Sequence, residues 1–297
     1  MTRPEGSAAA IGTLPNLAHP VDALNGGRRS RRGEILNAML TFVGLGLYDE
    51  ADITLKGLKA VRDADVVFVE FYTSKLAGTT LERLEATLRK KIKVLTREDI
   101  EERPEEVILE EAKKKSIVLL CGGDPMVATT HVDLRLRAIE LGIETRVIHA
   151  PSILSAAPGI CGLQSYKFGK SATVAPPYKG RIPETPYDTL MLNRKHGLHT
   201  LLLLDISMTV RDAIELLFSI ESQKRQRGEA TSDIERILFV GIARAGAEKP
   251  IVRADLPQKL KEYDFGAPPH TLIAVGSLHF IEKEALMKLA GASSEIF

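Results

Sequence analysis

Two glycine turns, each following a run of apolar residues, are the segments of this sequence best suited to bind a small molecule. The first contains Gly44 and Gly46, and the second is the Gly-Gly-Asp-Pro sequence of residues 122–125. Glycine lets the backbone approach a ligand closely, and Asp-Pro predicts a sharp exit into a helix from near Val127. Since open α/β sheets bind cofactors at the carboxyl ends of their strands, both turns predict a cofactor-binding edge. An ordinary strand-to-helix connection at residues 122–125 stays open as the alternative.

The glycine pattern also argues against two common cofactor classes. Gly44 and Gly46 lack the third glycine of a dinucleotide fingerprint, and the chain contains no Gly-Lys-Ser/Thr phosphate loop. Nicotinamide and nucleoside triphosphate chemistry therefore lose support. A third segment, residues 145–160, predicts a short strand followed by small residues, where Ser152 would either cap the next helix or hydrogen-bond a ligand.

Hydrophobic periodicity predicts strands that alternate with helices, which is typical of the α/β class. The predicted strands lie near residues 40–46, 65–70, 92–95, 116–121, 143–148, 200–206, 236–242 and 271–275. The predicted helices begin at about Thr54, span 79–91 and 210–224, and begin again at Ile281.

The length of 297 residues and the hydrophobic content of 44% predict two α/β domains rather than one core. We assign residues 39–175 to an N-terminal α/β domain and 187–297 to a C-terminal one. The proline-rich segment 176–186 is the predicted linker, because its prolines disfavour helix and central strand.

Residues 1–38 lack apolar periodicity and contain an arginine cluster, which predicts a disordered leader. Three origins stay open for it. An upstream start codon before Met39 is favoured because the predicted fold begins there, and a regulatory or nucleic-acid-contacting arm and an organelle transit peptide are the alternatives.

The charge balance of 40 basic against 39 acidic residues favours neither a nucleic-acid partner nor an anionic membrane surface. No apolar run reaches the roughly 18 residues of a membrane span, so we expect a soluble, intracellular protein. Cys121 and Cys161 fit reduced thiols. Without Cys-x-x-Cys spacing, and with seven scattered histidines, no metal site is expected.

Eight motifs in the same order closely resemble the diphthine synthases of archaeal type, from about Met39 to the C-terminus. They lie at residues 42–47, 70–74, 123–131, 149–153, 166–174, 199–205, 243–246 and 265–270. Diphthine synthases resemble the wider tetrapyrrole methylase superfamily, which binds S-adenosylmethionine in a cleft between two α/β domains. The first turn, Gly-Leu-Gly-Leu-Tyr-Asp at 44–49, departs from the Gly-Pro-Gly-Asp-Pro of corrin and sirohaem methylases, which argues against a tetrapyrrole substrate.

The resemblance implies a cytoplasmic, homodimeric enzyme that uses S-adenosylmethionine without a metal and releases S-adenosylhomocysteine. Its substrate would be translation elongation factor 2, whose 3-amino-3-carboxypropyl-histidine is trimethylated on the amino group to give diphthine. A tetrapyrrole or ribosomal RNA methyltransferase of the same superfamily stays open. So does a module that binds S-adenosylmethionine without catalysis.

The resemblance also implies eight cofactor-contact positions: Leu47, Asp124, Val127, Ser152, Ile153, Leu204, Ala245 and His270. The apolar side chains among them would sandwich adenine and the methionine stem, while Ser152 would hydrogen-bond the amino acid portion. Backbone groups at Ala245 and His270 would contact the adenine edge. Asp124 would either attract the cofactor's positive charge or fix its own turn.

No catalytic base follows from the sequence. A free α-amino group has a pKa of about 8, so a useful fraction is neutral at cellular pH without a dedicated base. On charge alone, Lys167 and Lys170 are candidates to receive the substrate's carboxylate.

Overall fold

Two five-stranded sheets carry the fold in a computed structural model that describes residues 38–229 and 233–297. Residues 39–148 form the first sheet and residues 172–274 form the second. The predicted leader falls, up to residue 37, outside the described residues. Among the helices that the structure describes, none is long and apolar enough to cross a membrane.

The first sheet is entirely parallel. Its strands are β1 (Met39–Gly44), β2 (Val66–Glu70), β3 (Ile92–Leu95), β4 (Ser116–Cys121) and β5 (Glu144–Ile148), in the spatial order β3-β2-β4-β1-β5. Its helices are α1 (Leu55–Asp63), α2 (Leu81–Leu88), α3 (Arg97–Glu101), α4 (Glu110–Ala112), α5 (His131–Glu140) and α6 (Ile153–Cys161), with a π-helical turn at Glu105–Leu109 before α4. Alternate side chains of a buried strand enter opposite cores, so Phe42 and Val43 lie in different hydrophobic clusters.

The second sheet is mixed. Its strands are β6 (Ala172–Val174), β7 (Thr200–Leu204), β8 (Phe239–Ala243), β9 (Ile251–Asp255) and β10 (His270–Ala274), in the order β6-β7-β10-β8-β9. Only the β6–β7 pair in it is parallel. Its helices are α7 (Thr185–Lys195), α8 (Val210–Gln226), α9 (Pro257–Leu260) and α10 (Phe280–Leu289), and short 3₁₀ turns lie at Glu50–Asp52, Ser165–Lys167, Ile234–Arg236 and Ser294–Ile296.

The predicted α/β class is confirmed, and every predicted strand is present within a few residues of its predicted bounds. Threonine caps fix several helix starts. The side chains of Thr54 and Thr80 accept backbone N–H groups at the starts of α1 and α2, and Thr209 forms a capping box with Asp212 at α8.

The predicted helix start near Val127 is wrong, because α5 begins only at His131. The Asp124 side chain accepts the Met126 N–H at 3.0 Å and so forms a local turn. Ala128 then adopts a left-handed conformation with φ of 54°, which interrupts a right-handed helix.

Two elements cross the predicted domain boundaries, and the division itself stays a prediction. Strand β6 lies within residues 39–175 but pairs with β7 of the second sheet. Helix α7 begins at Thr185, inside the segment predicted as a linker. Strands β6 and β9 were not predicted, since three residues are too few for a periodic signal and β9 is only half-buried.

Candidate functional site

The two glycine turns lie side by side at the carboxyl ends of β1 and β4. The N–H of Gly46 donates to the Gly123 carbonyl at 3.2 Å, and the N–H of Gly123 donates to the Gly46 carbonyl at 2.6 Å. A Cβ added to Gly44 would lie only 2.4 Å from the Gly123 carbonyl oxygen. The close approach of the two turns therefore requires glycine at position 44.

A cleft opens between this edge of the first sheet and strands β7, β8 and β10 of the second. It contains about 940 Å³ of atom-free space, including the part that opens to solvent. All eight predicted cofactor-contact residues line it: Leu47, Asp124, Val127, Ser152, Ile153, Leu204, Ala245 and His270. The structure thus brings together residues from both sheets that are far apart in sequence.

Asp124 joins two of the segments that form the cleft. Its carboxylate is almost fully buried, and besides the Met126 N–H it accepts the Ala150 N–H at 3.2 Å and contacts His149 Nδ1 at 2.8 Å. Both oxygens are therefore engaged by the protein, and the turn-fixing role of Asp124 is present in the structure. Attraction of a cofactor cation by the same negative charge stays a prediction.

Asp52 fixes the backbone beside Leu47, and sequence reasoning missed it. Its Oδ2 atom accepts the N–H groups of Leu47 and Tyr48 at 2.9 and 2.8 Å. Its Cβ also lies where a side chain at Gly46 would have to go. An acidic residue a few positions after a glycine turn was the available signal.

Ser152 occupies the N-cap position of α6 and accepts the Leu154 N–H at 3.3 Å. The capping role predicted for it is therefore present. Because Ser152 and Ile153 also line the cleft, the first turn of α6 presents its positive dipole end to this space.

His270, at the start of β10, has a fixed tautomer. Its Nδ1 accepts the Val210 N–H at 3.2 Å, so the ring proton lies on Nε2. That N–H is buried and has no hydrogen-bond partner among the described residues. Burial lowers the pKa of His270 and the positive charge of Arg244 lowers it further, and together they outweigh the backbone carbonyls of residues 265–267, which act in the opposite direction, so the ring is neutral at neutral pH.

The cleft also contains polar residues that sequence reasoning did not nominate. Thr73, Ser74 and Lys75 follow β2 and line the cleft, as does Arg244 after β8. Arg244 donates to the Ala267 carbonyl at 2.6 Å. No glycine turn follows β2, and the available signal was that residues 70–74 form one of the eight motifs that resemble the family.

Three buried groups lie immediately behind the turns that line the cleft. Glu70 ends β2, Cys121 ends β4 and His131 begins α5; none is measurably exposed, and their possible metal-ligating atoms lie within 4.8 Å of one another. The carboxylate of Glu70 accepts the N–H groups of Tyr72 and Thr73 at 3.1 and 3.0 Å and also the Thr73 hydroxyl. Burial raises the pKa of Cys121 well above its ordinary value, so the thiol is neutral.

The two lysines considered for substrate binding lie elsewhere in the described chain. Lys167 is held by an ion pair with Glu282 and donates to the Ser277 carbonyl at 2.6 Å. Lys170 is exposed, and neither lysine lines the cleft. The candidate role of both in binding the carboxylate is not supported by their positions.

Comparisons with known proteins agree on one family. The model of the tetrapyrrole (corrin/porphyrin) methylases matches residues 39–226. The chain is 55% identical over 258 residues to a diphthine synthase of Methanocella arvoryzae, covering 85% of this chain and 98% of that protein. It is 54% identical over 268 residues to a diphthine synthase of Methanosarcina acetivorans, with 87% and 98% covered. A crystal structure of a diphthine synthase superposes with a TM-score of 0.79 at 44% identity, covering 87% of this chain and 98% of that one.

Proposed function

We propose that this chain methylates translation elongation factor 2, because it belongs to the diphthine synthase family within the tetrapyrrole methylases. The methyl donor is S-adenosylmethionine, and the acceptor is the amino group of a 3-amino-3-carboxypropyl chain on one histidine. The products are diphthine and S-adenosylhomocysteine. The observation that carries this proposal is identity above 50% to diphthine synthases over nearly their whole length.

The lining of the cleft presents groups that suit S-adenosylmethionine. An adenine ring presents acceptor nitrogens, and the buried Nε2–H of His270 is a donor that lacks a protein partner among the described residues. Leu47 and Ile153 on the first-sheet side, with Leu204 on the other, would contact the apolar faces of the ligand. The dipole end of α6 at Ser152 would favour its carboxylate.

When bound, the cofactor supplies a methyl carbon that is already activated by the sulfonium. What the protein contributes is alignment of the acceptor nitrogen with that carbon. Correct positioning of two reactants contributes on the order of 7 to 11 kcal/mol. The backbone bonds between Gly46 and Gly123, and those that Asp52 and Asp124 accept from their turns, fix the segments that form the cleft wall relative to one another.

Trimethylation requires the acceptor to rotate between transfers and the cleft to admit a larger cation each time. The open part of the cleft provides space for this rotation. We therefore propose three successive transfers, as the family resemblance implies.

We further propose that the enzyme is a cytoplasmic homodimer. Val132, Leu136 and Ile139 lie on one face of α5, and each is about half exposed or more. Such an apolar face suits a second copy of the chain. Light scattering is expected to give twice the chain mass, and Leu136→Glu is expected to give the monomer. The cytoplasm is where the proposed substrate acts.

The decisive experiment is mass spectrometry of elongation factor 2 carrying the 3-amino-3-carboxypropyl histidine, after incubation with this protein and S-adenosylmethionine. Mass added in steps of one methyl group, on that histidine only, is the expected result, and unmodified elongation factor 2 is the control. No added mass while calorimetry shows cofactor binding would refute the proposal. Methyl transfer to ribosomal RNA or to a porphyrinogen instead would identify another activity of the superfamily.

A further inference from the structure

Two positively charged side chains line the cleft without an acidic partner. Lys75 follows β2 of the first sheet, and Arg244 follows β8 of the second. Neither forms an ion pair with any described residue, and Lys75 is exposed and makes no side-chain hydrogen bond there. The acidic residues of the lining have other partners: Asp124 accepts from its own turn and from Ala150, and Asp205 accepts from the next turn of the chain. Both sheets therefore bring a positive charge to the cleft that no carboxylate of the described chain pairs with.

The backbone of Arg244 has a conformation that side chains other than glycine rarely adopt. Its φ is 52°, in the left-handed region. Two hydrogen bonds hold it there: its N–H donates to the Pro269 carbonyl at 3.0 Å, and its carbonyl accepts the Ala247 N–H at 2.9 Å. Glycine would adopt this backbone without strain. Because strained residues cluster at functional sites, the conformation points to a role for the arginine side chain.

The guanidinium of Arg244 is held by neutral groups and keeps donors free. Its Nη1 donates to the Ala267 carbonyl at 2.6 Å, and it packs so closely against Gly266 that an added Cβ there would lie 3.2 Å from Nη1. Its other N–H groups have no acceptor among the described residues. Its charge reaches the lining, because the pKa of His270 is lowered first by burial and then by Arg244. A planar fork with free donors suits a carboxylate.

The proposed reaction brings two carboxylates into the cleft. A place for that of S-adenosylmethionine is proposed above, at the first turn of α6. The second carboxylate belongs to the acceptor, in which the same carbon atom carries the amine and the carboxylate. Since neither Lys167 nor Lys170 lines the cleft, the cations of the described lining that can bind it are Lys75 and Arg244.

We propose that Arg244, assisted by Lys75, binds the substrate's carboxylate and thereby positions its amine for methyl transfer. This inference rests on the proposed function. Fixing the carboxylate restricts the amine to a small arc, because one carbon atom carries both. Hydrogen bonds from the amine are lost as methyl groups replace its hydrogens, whereas the carboxylate stays unchanged. A carboxylate receptor can therefore hold the acceptor through each of the three proposed transfers.

Substitution of the two cations tests the receptor. Arg244→Gln removes the charge and keeps an N–H donor for the Ala267 carbonyl. It is expected to raise the KM for the modified elongation factor 2 about tenfold to a hundredfold, the loss typical of a hydrogen bond between charged groups. The dissociation constant of S-adenosylmethionine should stay within about twofold of wild type. Arg244→Lys retains the charge and should recover most of the loss.

Lys75→Gln keeps the test decisive if Arg244→Gln does not fold, because the Lys75 side chain bonds to nothing in the described protein. It should raise the same KM about twofold to fivefold, as for an exposed ion pair. The matched control is Lys249→Gln, which removes an exposed positive charge outside the cleft lining and should leave KM unchanged.

A binding measurement without turnover separates this inference from the proposed function. The probe 2-aminobutyrate carries the amine and carboxylate of the acceptor, and 2-aminobutanamide replaces that carboxylate by a neutral amide. In NMR titrations of the wild type saturated with S-adenosylhomocysteine, the acid is expected to bind at least about tenfold more tightly than the amide. Arg244→Gln should lose this preference.

Three results would overturn the receptor. The first is equal binding of the acid and the amide by the wild type, and the second is a preference that survives in Arg244→Gln. The third is weaker S-adenosylmethionine binding by Arg244→Gln at an unchanged KM for elongation factor 2, which would assign Arg244 to the cofactor's carboxylate. An inactive wild type whose preference for the acid depends on Arg244 would refute the proposed function and support the receptor.

Discussion

Replacing Gly44 by alanine is expected to damage the cleft without disturbing the secondary structure. Gly44 is the last residue of β1, and its strand backbone is one that alanine adopts readily. The added methyl group would lie 2.4 Å from the Gly123 carbonyl oxygen and 2.7 Å from the Ala150 Cβ. Its effect is therefore steric, and it displaces the two cleft-forming segments that contain Gly123 and Ala150.

The size of the effect follows from those distances. Ordinary contact begins at 3.4 Å, so the Gly123 carbonyl would have to retreat by about 1 Å, and the Gly46–Gly123 bonds would weaken with it. Overpacking of this kind costs about 1 to 3 kcal/mol. Since about 1.4 kcal/mol is a factor of ten in an equilibrium constant, a loss of this size in cofactor binding by the displaced turns should raise the dissociation constant of S-adenosylmethionine between about fivefold and a hundredfold.

Calorimetric titration with S-adenosylmethionine, together with thermal unfolding, measures both effects. The matched control is Gly159→Ala in α6, where an added Cβ meets nothing within 4 Å. That variant should keep its affinity and gain about 0.5 to 1 kcal/mol in stability, since alanine is favoured over glycine within a helix. An unchanged affinity in folded Gly44→Ala would refute the claim that glycine is required for the two turns to meet.

Three further predictions concern other parts of the described structure. Burial opposes ionisation of Glu282, but hydrogen bonds from backbone and side-chain donors lower its pKa from 4.5 to about 2. The stability that a lowered carboxyl pKa contributes is fully present above the pKa of the unfolded state and is lost as the pH falls towards the pKa of the folded state. In urea unfolding, Glu282→Gln should therefore lower the free energy of unfolding by about 3 kcal/mol at pH 6 but by only about 1 kcal/mol at pH 3. An equal loss at both pH values would contradict this. Asp52→Ala removes the acceptor of the Leu47 and Tyr48 N–H groups, so calorimetry should show about tenfold weaker S-adenosylmethionine binding. Unchanged affinity would show that other contacts fix this segment. Burial raises the pKa of Cys161 to about 11 and that of Cys121 also upward, so iodoacetamide should modify neither thiol in the native protein at pH 7.5 and both in urea; rapid native modification would contradict their burial.

The sequence by itself determined the elements that depend on local pattern. Apolar runs such as 116–121 predicted buried strands, because a strand buried on both faces is apolar at every position. Threonines before amphipathic segments marked helix starts, since a cap satisfies N–H groups only one turn away. The glycine turns indicated the binding edge, and the eight motifs indicated the family.

Only the tertiary structure decided how these elements combine into a site. The order in which the strands pack determines three features of the site. It pairs Gly46 with Gly123, brings Thr73 to the same cleft and places Glu70 opposite His131. The left-handed Ala128 delayed a helix that periodicity alone would have started earlier. The physical reason is that periodicity records which side of an element is buried, whereas strand order and close approach are set by packing between residues far apart in the chain.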